Sequence, residues 1–294
     1  MQQTHETVLL HEAVEALAIR PDSTIVDVTF GAGGHAREIV AQLGKEGHYI
    51  GIDTDETALR HKLSEQNNVT LVHGNFRELE QLIGSLHIEK VDGILADLGW
   101  RMEQFSGNGR GFSFRHDEPL LMTLGDPAEY AFTARDIVNG WDESVLADII
   151  FGYGEERFAR RIAKRIVEVR AKAPIETSKQ LSDIVVSAYP AAARHGRTHV
   201  ATKTFQAIRI AVNDELNVIE ELIEQGIQLL SPNGRLAIIT FHSIEDRVVK
   251  HALKAAVAAK RGTVLTKKPI TASSEELEHN PRARSAKLRI FEAL

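Results

Sequence analysis

The 294-residue chain has no cysteine, which excludes disulfides and thiolate-bound metals and fits a reducing compartment. No apolar run is long enough to span a bilayer. The opening residues, MQQTHETVLLHEAVEAL, also lack the basic-then-apolar layout of a secretion signal. A cytoplasmic protein with no membrane partner is therefore expected. Neither an internal repeat nor a low-complexity tract is present. Aromatics are sparse at 6%, and the formal net charge of −6 argues against a protein that coats nucleic acid, while leaving local patches open. Acids are nearly missing from one stretch, RFARRIAKRIVEVRAK (157–172). There Phe158, Ile162, Ile166 and Val169 recur at helical spacing beside a stripe of Arg157, Arg161 and Arg165, with Arg160 and Lys164 alongside. Such a stripe is either a solvated face or a phosphate-contacting one.

What the chain does contain is an alternation of strand and helix signals. β-Branched runs at 24–30, 48–53, 69–73 and 91–96 are separated by helical stretches at 36–43 and 56–63. Strands alternating with helices pair in parallel through right-handed crossovers, so the fold class is α/β with a doubly wound sheet. The pattern changes after residue 105. Helical stretches at 142–151, 155–171 and 178–188 follow without a convincing strand. A long helix at 204–230, a strand at 235–241, a helix at 244–260 and a terminal strand at 287–291 then resume the alternation. The expected layout is one α/β core, 1–105 and 201–294, interrupted by a helical domain at 106–200.

The first strand runs into Gly31-Ala-Gly-Gly-His35, and the second ends in Asp53. Glycines at that turn let the backbone approach a ligand, the helix N-terminus supplies amide donors, and an acid about twenty residues on suits ribose hydroxyls. An adenosine-containing cofactor is expected. "GAGGHA" has Ala36 where a strict dinucleotide fingerprint has glycine, so the motif alone leaves NAD open. Asp27, just before the glycines, favours a ligand with an amino group and a sulfonium, which points to S-adenosylmethionine; a local cap or pair is the alternative for Asp27. "DGILADLG" delivers a second acid, Asp97, at a strand end.

At this point the segments "HETVLLHEAVEAL", "VDVTFGAGGHAREI", "GIDTDETAL", "HGNF", "DGILADLG", "RGFSF", "YGEERFARRIAKRIVE", "THVATKTFQAIRIAVNDEL", "LSPNGRLAIITFHSIEDRVVK", "LTKKPI" and "NPRARSAKLRI" resemble, in order and almost end to end, the bacterial 16S ribosomal RNA (cytosine-N4)-methyltransferases. The resemblance implies a Rossmann-like class I methyltransferase fold with an inserted helical substrate-recognition domain. It implies S-adenosylmethionine as cofactor and N4 of a decoding-centre cytidine in 16S rRNA of the small ribosomal subunit as target. Carried over by position, cofactor contacts fall on Gly33, Gly34, His35, Asp53, Phe76, Asp97 and Gln104. His35 is expected to act mainly through its backbone amide, and Phe76 either packs on the adenine or belongs to the core. The family continues Asp-Leu-Gly with an aliphatic residue, two serines and a proline; here Trp100, Arg101, Met102 and Glu103 stand in those places.

Cytosine N4 is a poor nucleophile because its lone pair is delocalised into the ring. Transfer therefore needs in-line positioning and an acceptor for the N4 hydrogen. Asp97 is the candidate catalytic residue, with loop carbonyls near Gly99 or a cofactor-only role for Asp97 as alternatives. Trp100 and Arg101 are placed to stack on the base or reach a phosphate, unless Trp100 merely fills volume. Arg110 of "RGFSF" joins this substrate group. So do His242, Ser243, Glu245 and Asp246, where a cap of Ser243 with Asp246 is the quieter reading. Lys203, Arg209, Asn213, Arg282 and Arg284 would extend an RNA surface. No metal is expected, and a homodimer is left open. Two other functions remain: a related methyltransferase acting on a different RNA or base, and a non-catalytic, cofactor-binding ribosome assembly protein.

Overall fold

The computed structural model describes residues 6–56, 60–98, 109–194, 196 and 198–294. Seven strands form one sheet: β1 (Thr24–Asp27), β2 (His48–Asp53), β3 (Val69–His73), β4 (Val91–Asp97), β5 (Leu230–Thr240), β6 (Gly262–Val264) and β7 (Lys287–Ala293). Their order is β3-β2-β1-β4-β5-β7-β6. The first five pair in parallel, and β7 runs antiparallel to both β5 and β6. This is the Rossmann-like doubly wound sheet the alternation predicts, and the order reverses between β1 and β4, where such sheets bind ligands.

The strands read as near-continuous apolar runs because both faces are buried. Period-two alternation sorts their side chains onto two cores. Val26, Ile50, Ile52, Ile94, Ala96 and Ile238 face one cluster with Leu79, Leu222, Val249 and Leu253. These last come from α3 (Leu79–Ser85), α9 (Glu215–Leu229) and α10 (Ser243–Ala258). Ile25, Tyr49, Leu95, Ala237 and Ile239 face the other cluster with Ala13, Ala36 and Ile39, from α1 (Leu10–Ala16) and α2 (Gly34–Gln42). Each fully buried aliphatic side chain contributes about 1.5–3 kcal/mol relative to exposure.

By contact the chain divides into two compact units, Met1–Gly99 with Leu216–Leu294, and Trp100–Glu215. The second has its own core, built on Ile150, Ile162, Ile166, Leu181 and Phe205. Its helices are α4 (Ala134–Gly140), α5 (Glu143–Gly154), α6 (Ala159–Arg170), α7 (Ser178–Ala188) and α8 (Thr202–Asn213). The expected long helix at 204–230 is two helices, α8 and α9. The chain turns left-handed at Asp214 (φ 52°), and the Arg209 guanidinium brackets the Glu215 carboxylate at 2.8 Å across the break. The contact-based helical unit runs to Glu215, just past this break. Two further expectations are corrected. In the stretch at 56–63, the described residues Glu56, Arg60 and Lys62–Glu65 take 3-10 conformation. The strand expected at 235–241 begins at Leu230, because Leu230 pairs with Val91 before residues 231–234 loop out and Arg235 resumes pairing at Gly93.

Candidate active site

In the α/β unit, β1 leads into a tight turn in which Gly33 N–H donates to the Phe30 carbonyl at 3.0 Å. Gly31 (φ 62°) and Gly33 (φ 71°) take the left-handed conformation that side chains resist. A Cβ on Gly34 would fall 1.8 Å from Thr7 Oγ1, and one on Gly33 would fall 3.1 Å from the His61 ring. No side chain caps α2 at this end, and a helix start of this kind is where a ligand meets backbone amide donors. Asp53, the last residue of β2, accepts from Gly31 N–H at 2.7 Å and from Asp55 N–H at 2.9 Å. It thereby pins the glycine turn from the neighbouring strand. Each carboxylate oxygen keeps a second lone pair for a hydroxyl donor. A glycine turn with no room for side chains of its own, beside an acceptor carboxylate, fits an adenosyl cofactor.

Asp27 departs from expectation. It is 1% exposed. Its Oδ2 accepts from Tyr49 Oη at 3.0 Å, and its Oδ1 accepts from Thr29 N–H at 3.0 Å and from Thr29 Oγ1 at 3.3 Å. The local pairing accounts for this carboxyl, which lies beneath the turn instead of facing a cationic ligand. Burial pushes its pKa up to about 6, against the hydrogen bonds from Thr29 and Tyr49 that lower it. Burial likewise raises the Tyr49 phenol, with Asp27 adding to it. The linkage has a definite sign. Between the unfolded value near 3.8 and the folded value near 6, the native state holds the proton more tightly, so rising pH erodes stability across that window. Asp27→Asn should therefore gain on the wild type by about 2 kcal/mol between pH 4 and pH 7. Urea unfolding of both proteins at the two pH values measures the gap, and a gap independent of pH would refute the shift.

Asp97 ends β4, with its side chain 21% exposed. Its N–H donates to Thr29 Oγ1 at 2.7 Å. The His35 ring is buried beside it, with Nε2 3.2 Å from the Val8 carbonyl and Nδ1 4.0 Å from Asp97 Oδ2. The His35 imidazole thus lies beside Asp97, a contact the motif did not suggest. Phe76 sits in a 3-10 turn after β3, 8% exposed and within the core. Gln104, Trp100 and Arg101 lie outside the described residues, as do Gly99, Met102 and Glu103.

The stretch after β5 forms a cap, though not of Ser243 with Asp246. His242 Nδ1 accepts from Glu245 N–H at 3.2 Å, while Glu245 Oε2 accepts from Phe241 N–H at 2.8 Å and His242 N–H at 3.2 Å. Glu245 is 1% exposed. Ser243 is the exposed first residue of α10. Asp246 accepts from Arg289 Nε at 2.7 Å and Lys287 Nζ at 3.1 Å, both on β7. Burial pushes the Asp246 carboxyl up, but Arg289 and Lys287 outweigh it and hold the group below its ordinary value. Glu245 and Asp246 thus make internal bonds that support the start of α10.

In the helical unit, Arg110 Nη1 donates to the carbonyls of Thr123, Leu124 and Gly125 at 2.8–3.1 Å, an anchoring role the sequence did not suggest. Asn213 likewise binds the Met122 carbonyl and Leu124 N–H, and Lys203 binds the Glu155 carbonyl. Of the basic stripe and its neighbours, Arg160, Arg161, Lys164 and Arg165 lie on α6, while Arg157 precedes it. Arg165 is engaged by Glu168 and Ser187, and Arg157 covers the Phe158 ring. Arg160, Arg161 and Lys164 are exposed.

Comparison with known proteins agrees along the whole chain. The MraW methylase family matches residues 2–294. A "Ribosomal RNA small subunit methyltransferase H" from Brevibacillus brevis is 45% identical over 309 residues, covering 99% of this chain and 98% of that protein. A protein of the same name from Clostridioides difficile is 43% identical over 313 residues, covering all of both.

Proposed function

Because this chain belongs to the MraW methylase family, we propose that it methylates N4 of a decoding-centre cytidine in the 16S RNA of the small ribosomal subunit. It is a methyltransferase with S-adenosylmethionine as cofactor and ribosomal RNA as substrate class, in keeping with its relatives. One observation carries the reading. Asp53 and Asp97 stand at the ends of β2 and β4 on either side of the β1 glycine turn, the one beside the cradle, the other at the switch point. The backbone of the Gly31–Gly34 turn and the Asp53 carboxylate would hold the cofactor. When bound, it supplies a methyl carbon made electrophilic by its sulfonium. Asp97 accepts the hydrogen that N4 sheds as its lone pair is committed to the new bond. The partly exposed carboxylate at a strand end gives that proton a fixed destination. Incubating the protein with labelled S-adenosylmethionine and small subunits that lack the modification tests the reading: label in 16S RNA supports it. The altered residues Trp100–Glu103 favour a second reading, a related enzyme on another RNA or base, which label elsewhere in RNA would support. Cofactor binding with no transfer to any RNA would instead favour a non-catalytic assembly role.

The exposed cations on α6 are the proposed phosphate contacts of the helical unit. Replacing Arg160, Arg161 and Lys164 together by glutamine should weaken binding to small-subunit RNA. It should also reduce the slope of log affinity against log salt by about 2–3. Filter binding across a salt series reads this directly, and an unchanged slope would make the stripe a solvated face.

A further inference from the structure

β1 and β4 part at the switch point, and the last bond across the gap is not a main-chain one. Their pairing ends at Asp27 opposite Leu95, with Val28 N–H donating to the Leu95 carbonyl at 2.9 Å. The next β4 amide that faces β1 belongs to Asp97, and it donates to the Thr29 hydroxyl at 2.7 Å. That hydroxyl is itself oriented. Its own proton points to Asp27 Oδ1 at 3.3 Å, the Thr29 amide donates to the same oxygen at 3.0 Å, and Tyr49 Oη holds Oδ2 at 3.0 Å. An acceptor that has given its proton to a carboxylate presents its lone pairs to the incoming amide, and successive bonds of this kind reinforce one another.

We infer that Thr29, oriented by Asp27 and Tyr49, is a positioning residue that sets the backbone of Asp97 at the point where the strands separate. The inference rests on the proposed role of Asp97. The side chain works through geometry and contacts no reacting atom. It substitutes for a ladder bond on the β1 side, where that ladder must stop to open the cleft, while Asp97 stays paired with Ile239 of β5 on the other. The buried, doubly bonded Asp27 gives the threonine one rotamer, and Tyr49 gives Asp27 one orientation. A purely structural clamp would not need a hydroxyl: a valine of the same shape fills the same space.

Thr29→Val and Thr29→Ser separate these roles. Thr29→Val should lower kcat for methyl transfer roughly 10- to 100-fold, the scale of a displaced reacting group. Cofactor Kd by calorimetry should stay within about threefold of wild type. Thr29→Ser should restore kcat to within about threefold. Exchange of the Asp97 amide, followed by NMR, should quicken about tenfold or more in the valine variant and return in the serine variant. A valine variant with wild-type kcat and unchanged Asp97 exchange would overturn the inference. So would cofactor affinity falling in step with kcat and not recovering with serine. If the wild type transfers no methyl group to RNA, the functional reading fails, while Asp97 exchange still decides whether Thr29 holds that amide.

Discussion

Asp97→Asn is expected to leave the chain folded and to reduce methyl transfer about 100-fold or more. Asparagine preserves the shape and the N–H bond to Thr29, so the strand end stays where it is. What disappears is the anion proposed to receive a proton as N4 becomes bonded to carbon. The neighbouring His35 imidazole, whose Nδ1 lies 4.0 Å from the carboxylate, loses the negative charge it faces. Single-turnover rates at saturating cofactor isolate the chemical step, and calorimetry reports cofactor binding separately. A loss confined to kcat assigns the proton acceptor to Asp97. A loss confined to cofactor affinity would give Asp97 a binding role and shift the acceptor to a carbonyl near Gly99.

The second large effect is on stability. Asp246 and Arg289 form an ion pair whose side chains are 12% and 7% exposed, with Nε to Oδ1 at 2.7 Å. Removing one partner strands the other's charge away from water, which costs more than the pair itself contributes. Asp246→Ala should therefore lower unfolding free energy by about 3–5 kcal/mol, measured by urea unfolding at pH 7. Asp246→Leu combined with Arg289→Met should cost less than either single change, because no deeply buried charge remains unpaired and Lys287, 35% exposed, can turn to water. The Asp246 contribution is present above the ordinary carboxylate range and fades as the pH falls through the group's lowered value. Were Asp246 a substrate contact instead, the alanine variant would keep its stability and lose RNA affinity.

These outcomes bear on what was legible in the sequence. Thr24–Asp27, His48–Asp53 and Val91–Asp97 were legible because buried parallel strands need β-branched runs, and glycines at the turn have few other uses. Asp53 and Asp97 stood out because a carboxylate closing an apolar strand is costly unless it meets a partner. Asp27 has the same signature but the opposite fate, since its partners Tyr49 and Thr29 come from a neighbouring strand and from two residues on. Only the fold reveals them. The break at Asp214 lacked the glycine or proline that usually marks one, so periodicity ran through it. The cap at His242 was hidden because histidine seldom fills that position, and its neighbours Ser243 and Asp246 look like better caps. Gly262–Val264 and Ala134–Gly140 were too short for any periodic signal. Arg110 was legible only as a charge. That it binds three carbonyls depends on residues 123–125 folding back.

The position of the transferred methyl group tests the central claim most directly. Small subunits lacking the modification, treated with the protein and isotopically labelled S-adenosylmethionine, are digested and their 16S RNA mapped by nucleoside mass spectrometry. One labelled methyl on N4 of a single decoding-centre cytidine is the predicted result. Label on another base, on another atom of cytosine or on no RNA at all would contradict it.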